Sequence, residues 1–466
     1  MEDLVSEDPA ARPDRADRPV TFRDVFAVRE YRAIYTSLLV NWAGDYLSKA
    51  AVTVLVYEKT DSVLLSAAAL GVSFIPWIIG GTLLSALAER YPYRRVLIVA
   101  DLARMVPIGL LLVPHVPIWL MLVLVFLASL GMPPTQAARS ALLPQLVGRE
   151  KLATAIAVNQ TTTQAAQLFG YLAGATIATV LSPRVALGVD VCTFALSALV
   201  IARGIQHRPP ARTEAQRTHL LHESGEGIRL VFGRPVLRAI VLMVCLMSMF
   251  SVAPEGLAAA WAAEGTDNST SRGLYQGLIM AAAPIGFVIG GLLLTRLAGA
   301  DRRDRLVCPL AILSCLALAP AAFSPPLPIV VLLVILSGAA AGGLSPTLNG
   351  RFVLMLPHGY RARAFGVVQA GLQLAQFSGI IITGVLADRF RLPLVVGLWS
   401  VVGTFVMSYL AVGWPSRRTF ARAMEAAAAT VPPAPVPPAT TPVVPAPAPA
   451  PEAAPVRTTS VTPKHP

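Results

Sequence analysis

The chain has 466 residues, 55% of them hydrophobic and only 14% charged, and its mean hydropathy is +0.63. That is more apolar surface than a water-soluble fold of this length can bury. The formal charge of +12 does not point to nucleic acid, because the basic residues stand in short clusters between apolar tracts rather than along one surface or interleaved with aromatics.

The N-terminal segment, residues 1–30, is acidic, dotted with arginine and expected to be partly disordered. It has no apolar core of a cleavable signal peptide, so the first apolar helix is expected to direct insertion, with Phe22–Tyr31 lying along the membrane surface. Apolar tracts then recur at about 33–57, 63–88, 95–113, 117–137, 152–181, 185–203, 237–261, 274–297, 306–323, 327–350, 364–387 and 392–413. A helix of about 20 residues, rising about 1.5 Å per residue, crosses a hydrocarbon layer of roughly 30 Å, so each tract is read as a transmembrane helix. An even number of spans puts both termini on one side. With a cytoplasmic N-terminus, 29 basic residues lie in or beside the cytoplasmic segments before the far tail, against five outside (Lys59, Arg184, Arg272, Arg389 and Arg391), so the positive-inside rule sets both termini in the cytoplasm.

The long loop at 205–236 divides the spans into a six-helix bundle over 31–204 and another over 237–414, and its second part, from His219 to Val236, reads as a surface helix. Beyond it, residues 415–466 hold 13 prolines between Val431 and Pro466 and are expected to be a disordered cytoplasmic tail. The four cysteines, Cys192, Cys245, Cys308 and Cys315, fall inside apolar tracts without ligand spacing and read as small core residues, with neither a metal site nor a cofactor implied.

An internal repeat links the halves. Gly131, Pro134, Thr135 and Arg139 at the end of span four recur as Gly343, Pro346, Thr347 and Arg351 at the end of span ten, at an offset of 212 residues. Gln160, Gln164 and Gln167 in span five match Gln369, Gln373 and Gln376 in span eleven, each set at i, i+4, i+7. Such a stripe occupies one helix face, and its amides need partners in lipid, so the two stripes are expected to face each other across a polar pathway or to bond the bundle together.

Ionisable residues inside apolar tracts are costly and therefore functional candidates. Asp45 and Lys49 stand four apart in span one and are expected to neutralise one another; Asp101 and Arg104 in span three read as a structural ion pair. Asp190 in span six and Glu255 late in span seven have no obvious partner in their own helices. Asp45 and Glu255 lead as proton-coupling or substrate-pathway residues, with Asp190 and Lys49 beside them.

After span two, Ser85, Leu87, Ala88, Glu89, Arg90, Pro92, Arg94 and Arg95 resemble the G-x-L-A-D-R-x-G-R-R loop of the major facilitator superfamily, with Ser85 and Pro92 replacing glycines and Glu89 replacing aspartate. The surrounding Gly44-Asp45, Asp101-x-x-Arg104, Asp190-x-x-Thr193-Phe194 and Pro254-Glu255-Gly256 are similar to the branch that includes macrolide and siderophore exporters of actinobacterial type. The resemblance implies an all-α integral membrane fold, twelve transmembrane helices in two pseudo-symmetric bundles, usually monomeric. It also implies that Ser85, Glu89, Arg90, Arg94 and Arg95 form a loop gating the conformational change. Span five reads Gly170-Tyr171-Leu-Ala-Gly174 where antiporters of the superfamily often carry Gly-Pro, which weighs against proton antiport by that motif.

Duplicated bundles with a site at their interface suit a secondary transporter. The expected activity is export of hydrophobic or weakly polar small molecules from the cell, driven by protons. Uptake of a sugar or metabolite stays open, as does a membrane scaffold acting through the Pro-rich tail. None of the four lysines follows a glycine, which argues against an ATP-binding P-loop, and no G-x-S-x-G elbow suggests an enzyme.

Overall fold

The computed structural model describes residues 21–80, 91–208, 220–356, 361–416, 418–420 and 422–424. Its elements are helical throughout these residues. They run α1 (Phe22–Phe26), α2 (Arg29–Thr60), α3 (Val63–Gly71), α4 (Ile75–Gly80), α5 (Tyr93–Leu110), α6 (Ile118–Ser129), α7 (Met132–Val180) and α8 (Pro183–Gly204). After the middle segment follow α9 (Leu220–Gly233), α10 (Pro235–Ser251), α11 (Ala253–Gly265), α12 (Ser269–Leu297), α13 (Ala300–Leu316), α14 (Leu327–Leu354), α15 (Arg361–Ala387) and α16 (Leu392–Val412). Among the described residues, eight helical segments are long and apolar enough to cross a membrane. The other four expected spans fall on α2, on α3 with α4, on α5 and on the part of α7 beyond Gly148.

Two breaks in this helical text have plain causes. In α7 the chain turns at Gly148, whose φ of 74° is costly for any residue with a Cβ, so one continuous run becomes two spans. Between α10 and α11, Pro254 lacks the N–H that would bond back one turn, and the helix bends there. The indole of Trp399 donates to the nearby carbonyl of Met249 at 3.4 Å.

The arginine-rich end of the molecule and the opposite end are packed differently. At the arginine-rich end there are two separate cores: one from Val25, Tyr31, Leu97, Leu142 and their neighbours in α1–α8, the other from Val231, Leu237, Val307, Phe352 and theirs in α9–α16. At the opposite end, beside a core of α2–α8 alone, one core joins both sets, with Tyr46, Ala67, Leu70 and Tyr171 packed among Leu257, Trp261, Ile279 and Ile380. Among the described residues the two sets therefore share a core at one end and have separate cores at the other.

Two expectations need correction. Cys192 lies on the exposed face of α8, while Cys315 is buried and Cys245 and Cys308 are intermediate; in a bundle that sits in lipid the outward face is itself apolar, so hydropathy does not separate it from the core. The tail does not leave the bundle at residue 415. Phe420 is only 2% exposed and lies 4.3 Å from the Arg351 guanidinium, which also pairs with Asp304 at 2.5 Å. At the start of α2, Glu30 pairs with Arg208 and accepts from the Gln206 N–H, 2.6 and 2.8 Å away. Burial pushes the Glu30 carboxyl up, yet Arg208 and the Gln206 N–H outweigh it and hold the carboxyl below its usual value.

Helices α12 and α14 approach at glycines. A Cβ on Gly286 or Gly290 would fall 2.0 or 1.8 Å from the carbonyls of Ile335 or Ala339, and one on Gly338 or Gly342 would fall 2.3 or 2.0 Å from those of Ala283 or Phe287. Both helices thus present glycines four apart, the spacing that lets two helices pack backbone to backbone where no water drives association. Gly290→Ala is expected to lower the thermal midpoint of the detergent-solubilised protein. Gly188→Ala, where a Cβ meets nothing within 4 Å, is expected to leave it unchanged or raise stability by up to about 1 kcal/mol.

Candidate functional site

Polar residues recur every fourth position along α2: Ser37, Asn41, Asp45 and Lys49. On a helix that spacing makes one stripe. The stripe faces α5, α7 and α8, and the side chains it meets form a buried polar network inside an apolar bundle. Asp45 is 6% exposed, Arg104 4%, and Asp101 and Asp190 0%.

Arg104 is its centre. Its guanidinium makes an ion pair with Asp45, donates to Asn41 Oδ1 at 3.0 Å and, through Nε, to the carbonyl of Ala128 at 3.0 Å. It also lies 4.6 Å from the centre of the Phe194 ring. A Cβ at position 131 would come within 2.5 Å of the Arg104 side chain, so glycine there is what lets the arginine pass α7. Asn41 hands the network on, donating to Asp101 Oδ1 at 2.7 Å, and Ser197 donates to Asp101 Oδ2 at 2.6 Å. Ser37 lies 2.8 Å from Ser197 and accepts from Arg139 at 3.2 Å.

The sequence pairings are thereby exchanged. Arg104 pairs with Asp45 on another helix rather than with Asp101 three residues away. Lys49 forms no salt bridge among the described residues; its Nζ lies 5.1 Å from the Tyr46 ring centre and 5.5 Å from that of Phe74. Asp190 sits beside this network, with the Thr193 hydroxyl 2.7 Å from its carbonyl oxygen and 3.0 Å from Oδ1, and Oδ2 without a hydrogen-bond partner. Asp45, Lys49, Arg104 and Asp190, with Ser48, Ser73 and Ser129, line a cavity of about 30 Å³.

Glu255, in the first turn of α11, accepts a hydrogen bond from Tyr171 on α7. This bond crosses between the two sets of helices at their joined end. Two further links do the same. Gln276 on α12 donates to the Ala50 carbonyl and to Thr53 Oγ1 on α2, both at 3.1 Å. Asp388, just past α15, accepts from Ser62 Oγ at 3.1 Å and from the Leu64 N–H at 3.0 Å, capping α3 from the other set.

The glutamine stripes grade inward. Gln160 and Gln369 are exposed toward the arginine-rich end, Gln164, Gln167 and Gln376 are intermediate, and Gln373 is buried. Ser85, Glu89 and Arg90 lie outside the described residues. Of the rest of that loop, Arg94 donates to the Ala202 carbonyl at 2.5 Å and Arg95 is exposed. Ser37, Asn41, Arg139, Ser197, Tyr171 and Gln276 were not singled out as site residues from sequence, although the four-residue stripe on α2 carried the signal for the first two.

Removing Arg104 strands the Asp45 carboxylate in the apolar interior. Arg104→Ala is expected to destabilise the protein by about 3–5 kcal/mol, and Asp45→Ala in the same chain to recover part of that loss, as read from unfolding midpoints in detergent.

The sequence profile described as Major Facilitator Superfamily matches residues 34–262 and 257–446. Macrolide efflux protein A of Streptococcus pyogenes is 21% identical over 361 residues, 75% of this chain and 88% of that protein. The multidrug efflux pump Tap of Mycolicibacterium fortuitum is 25% identical over 376 residues, 76% of this chain and 88% of the pump. Among solved structures, a D-xylose–proton symporter superposes with a TM-score of 0.64 at 14% identity, covering 83% of this chain and 98% of the symporter.

Proposed function

The chain belongs to the major facilitator superfamily, and on that premise we propose that this multi-pass membrane protein is a secondary transporter that exports hydrophobic or weakly polar small molecules by alternating access, driven by the proton gradient. The observation that carries the reading is the one-ended closure. A single core and three polar links join the helix sets at the end poor in arginine, and two separate cores stand at the arginine-rich end. By the positive-inside rule the arginine-rich end is cytoplasmic and both termini lie there. The conformation is then inward-facing, with a central vestibule lined by the glutamines and sealed from outside by Tyr171, Glu255, Gln276 and Asp388.

Export is favoured by the relatives named as efflux proteins at 21% and 25% identity. The scarcity of unpaired charge along the vestibule supports solutes of low polarity. The energetics follow from the seal. Opening outward breaks the five hydrogen bonds of these three links and separates an apolar patch, while closing the inner end brings the two inner cores together. Two closures of comparable strength are what a rocking transporter requires, because a ligand shifts such an equilibrium only by its differential affinity for the two states.

Two experiments test the reading. In proteoliposomes, a panel of macrolides and dyes is expected to move against its gradient when a pH gradient is imposed and to stop when that gradient is collapsed. In a chain with its native cysteines replaced, oxidation of Ser62→Cys/Asp388→Cys is expected to arrest transport and reduction to restore it. Full cross-linking with undiminished transport would mean that this end need not open.

A further inference from the structure

Burying a charge in an apolar bundle is tolerable only when each anion has a cation or its full complement of donors. The described polar interior holds three cations, Lys49, Arg104 and Arg139. It holds four carboxylic acids, Asp45, Asp101, Asp190 and Glu255. Arg104 is committed to Asp45. Arg139 and Asp101 interact most strongly with each other among charged groups, and Lys49 lies between Asp45, its stronger partner, and Glu255 across the joined end. Asp190 is the acid left over. It forms no salt bridge among the described residues, it is 0% exposed, and its Oδ2 has no hydrogen-bond partner although it borders the cavity.

The hydrogen count points the same way. A threonine hydroxyl has one proton to give and two lone pairs to accept with. Thr193 shares its one proton between the Asp190 carbonyl, at 2.7 Å, and Oδ1, at 3.0 Å. A carboxylate here would hold only part of one donor from Thr193, short of the complement that a buried anion needs. The Ser48 hydroxyl also reaches this carboxyl, but one hydroxyl does not replace a counter-ion. Gly44 keeps the arrangement tight, since a Cβ there would fall 2.1 Å from Thr193 Oγ1 and 2.3 Å from Asp190 Oδ1.

A metal cation does not suit the place. Arg104 and Lys49 line the same cavity, and no group of three or more His, Cys, Asp or Glu side chains gathers among the described residues. Water does suit it. The cavity of about 30 Å³ exceeds the roughly 10–15 Å³ that one water needs, and its walls are polar on several sides.

We propose that Asp190 is the proton-carrying group of the transport cycle and stands protonated in this conformation, with the hydrated cavity beside it as the proton's way in and out. This rests on the proton-driven reading above and locates the coupling site inside the N-terminal helices, away from the vestibule. On release, the O–H bond of Asp190 breaks, the proton passes to a cavity water, and a carboxylate remains. That carboxylate faces Asp45 and Lys49 of α2 and Arg104 of α5. It competes with Asp45 for Arg104, so loss of the proton loosens the ion pair that ties α2 to α5. Regaining it restores the pair.

Infrared difference spectra of the protein in lipid, taken across a pH titration, test the assignment directly. A carboxylic-acid C=O band is expected in the wild type, lost in Asp190→Asn, kept in Glu255→Gln, and shifted in Thr193→Val, which removes the hydroxyl beside Oδ1. In proteoliposomes Asp190→Asn is expected to keep substrate exchange without a pH gradient and to lose accumulation driven by one. A band that persists in Asp190→Asn would overturn the proposal, as would undiminished gradient-driven accumulation in that variant or displacement of the band by sodium. A wild type that shows the Asp190 band but no response to a pH gradient would instead leave the assignment of the protonated acid standing and remove the proton-driven reading.

Discussion

A guanidinium cannot be left unpaired in an apolar interior, and that requirement organises the N-terminal half of this protein. Arg104 is satisfied by Asp45 and Asn41 on α2, by the Ala128 carbonyl on α6 and by the face of Phe194 on α8. Four helices are therefore fixed by one side chain. The constraint explains why glycine stands at 131, just before α7, and why Asn41, otherwise a poor residue for a membrane helix, stands one turn before Asp45. Hydrogen-bonded charge networks of this kind hold one arrangement firmly when complete and become unfavourable when a member is removed. Such a network is suited to a switch, because adding or removing one proton changes which arrangement is complete.

The joined end shows how little the two helix sets need to hold them together. Their polar links are few, and each connects a side chain of one set to the backbone or a side chain of the other: Gln276 to Ala50, Asp388 to Leu64, Glu255 to Tyr171. Around them the packing is apolar and includes small residues such as Gly71, Gly273 and Gly277, which lets the helices come close without interlocking side chains. Packing of that sort separates without unthreading. By contrast, α12 and α14 within the C-terminal set meet backbone to backbone and are expected to move as one piece.

Much of this was legible in the sequence and some of it was not, for physical reasons. Hydropathy located the spans because a helix that crosses lipid must be apolar for its whole length, and the repeat of Arg139 and Arg351 exposed the duplication. The residues that carry charge were also visible: Asp45, Asp101, Arg104, Asp190 and Glu255 stood out as soon as the spans were drawn. Their partners did not. Spacing along one helix suggested Asp45 with Lys49 and Asp101 with Arg104, but the pairing depends on how helices are rotated and how closely they approach. Those are set by glycines such as Gly44 and Gly131, whose partners lie on other helices. Hydropathy likewise could not tell the outward face carrying Cys192 from the core, nor show that Phe420 folds back under Arg351.

The account stands on reciprocal opening of the two ends. It is tested most directly by measuring distances with spin-label pairs in lipid, one pair at Asp61 and Arg389 at the joined end and one at Gln145 and Leu354 at the arginine-rich end, with and without substrate and at low and high pH. The account predicts that conditions which lengthen the first distance shorten the second. Distances that stay fixed under every condition, or that lengthen together, would contradict it.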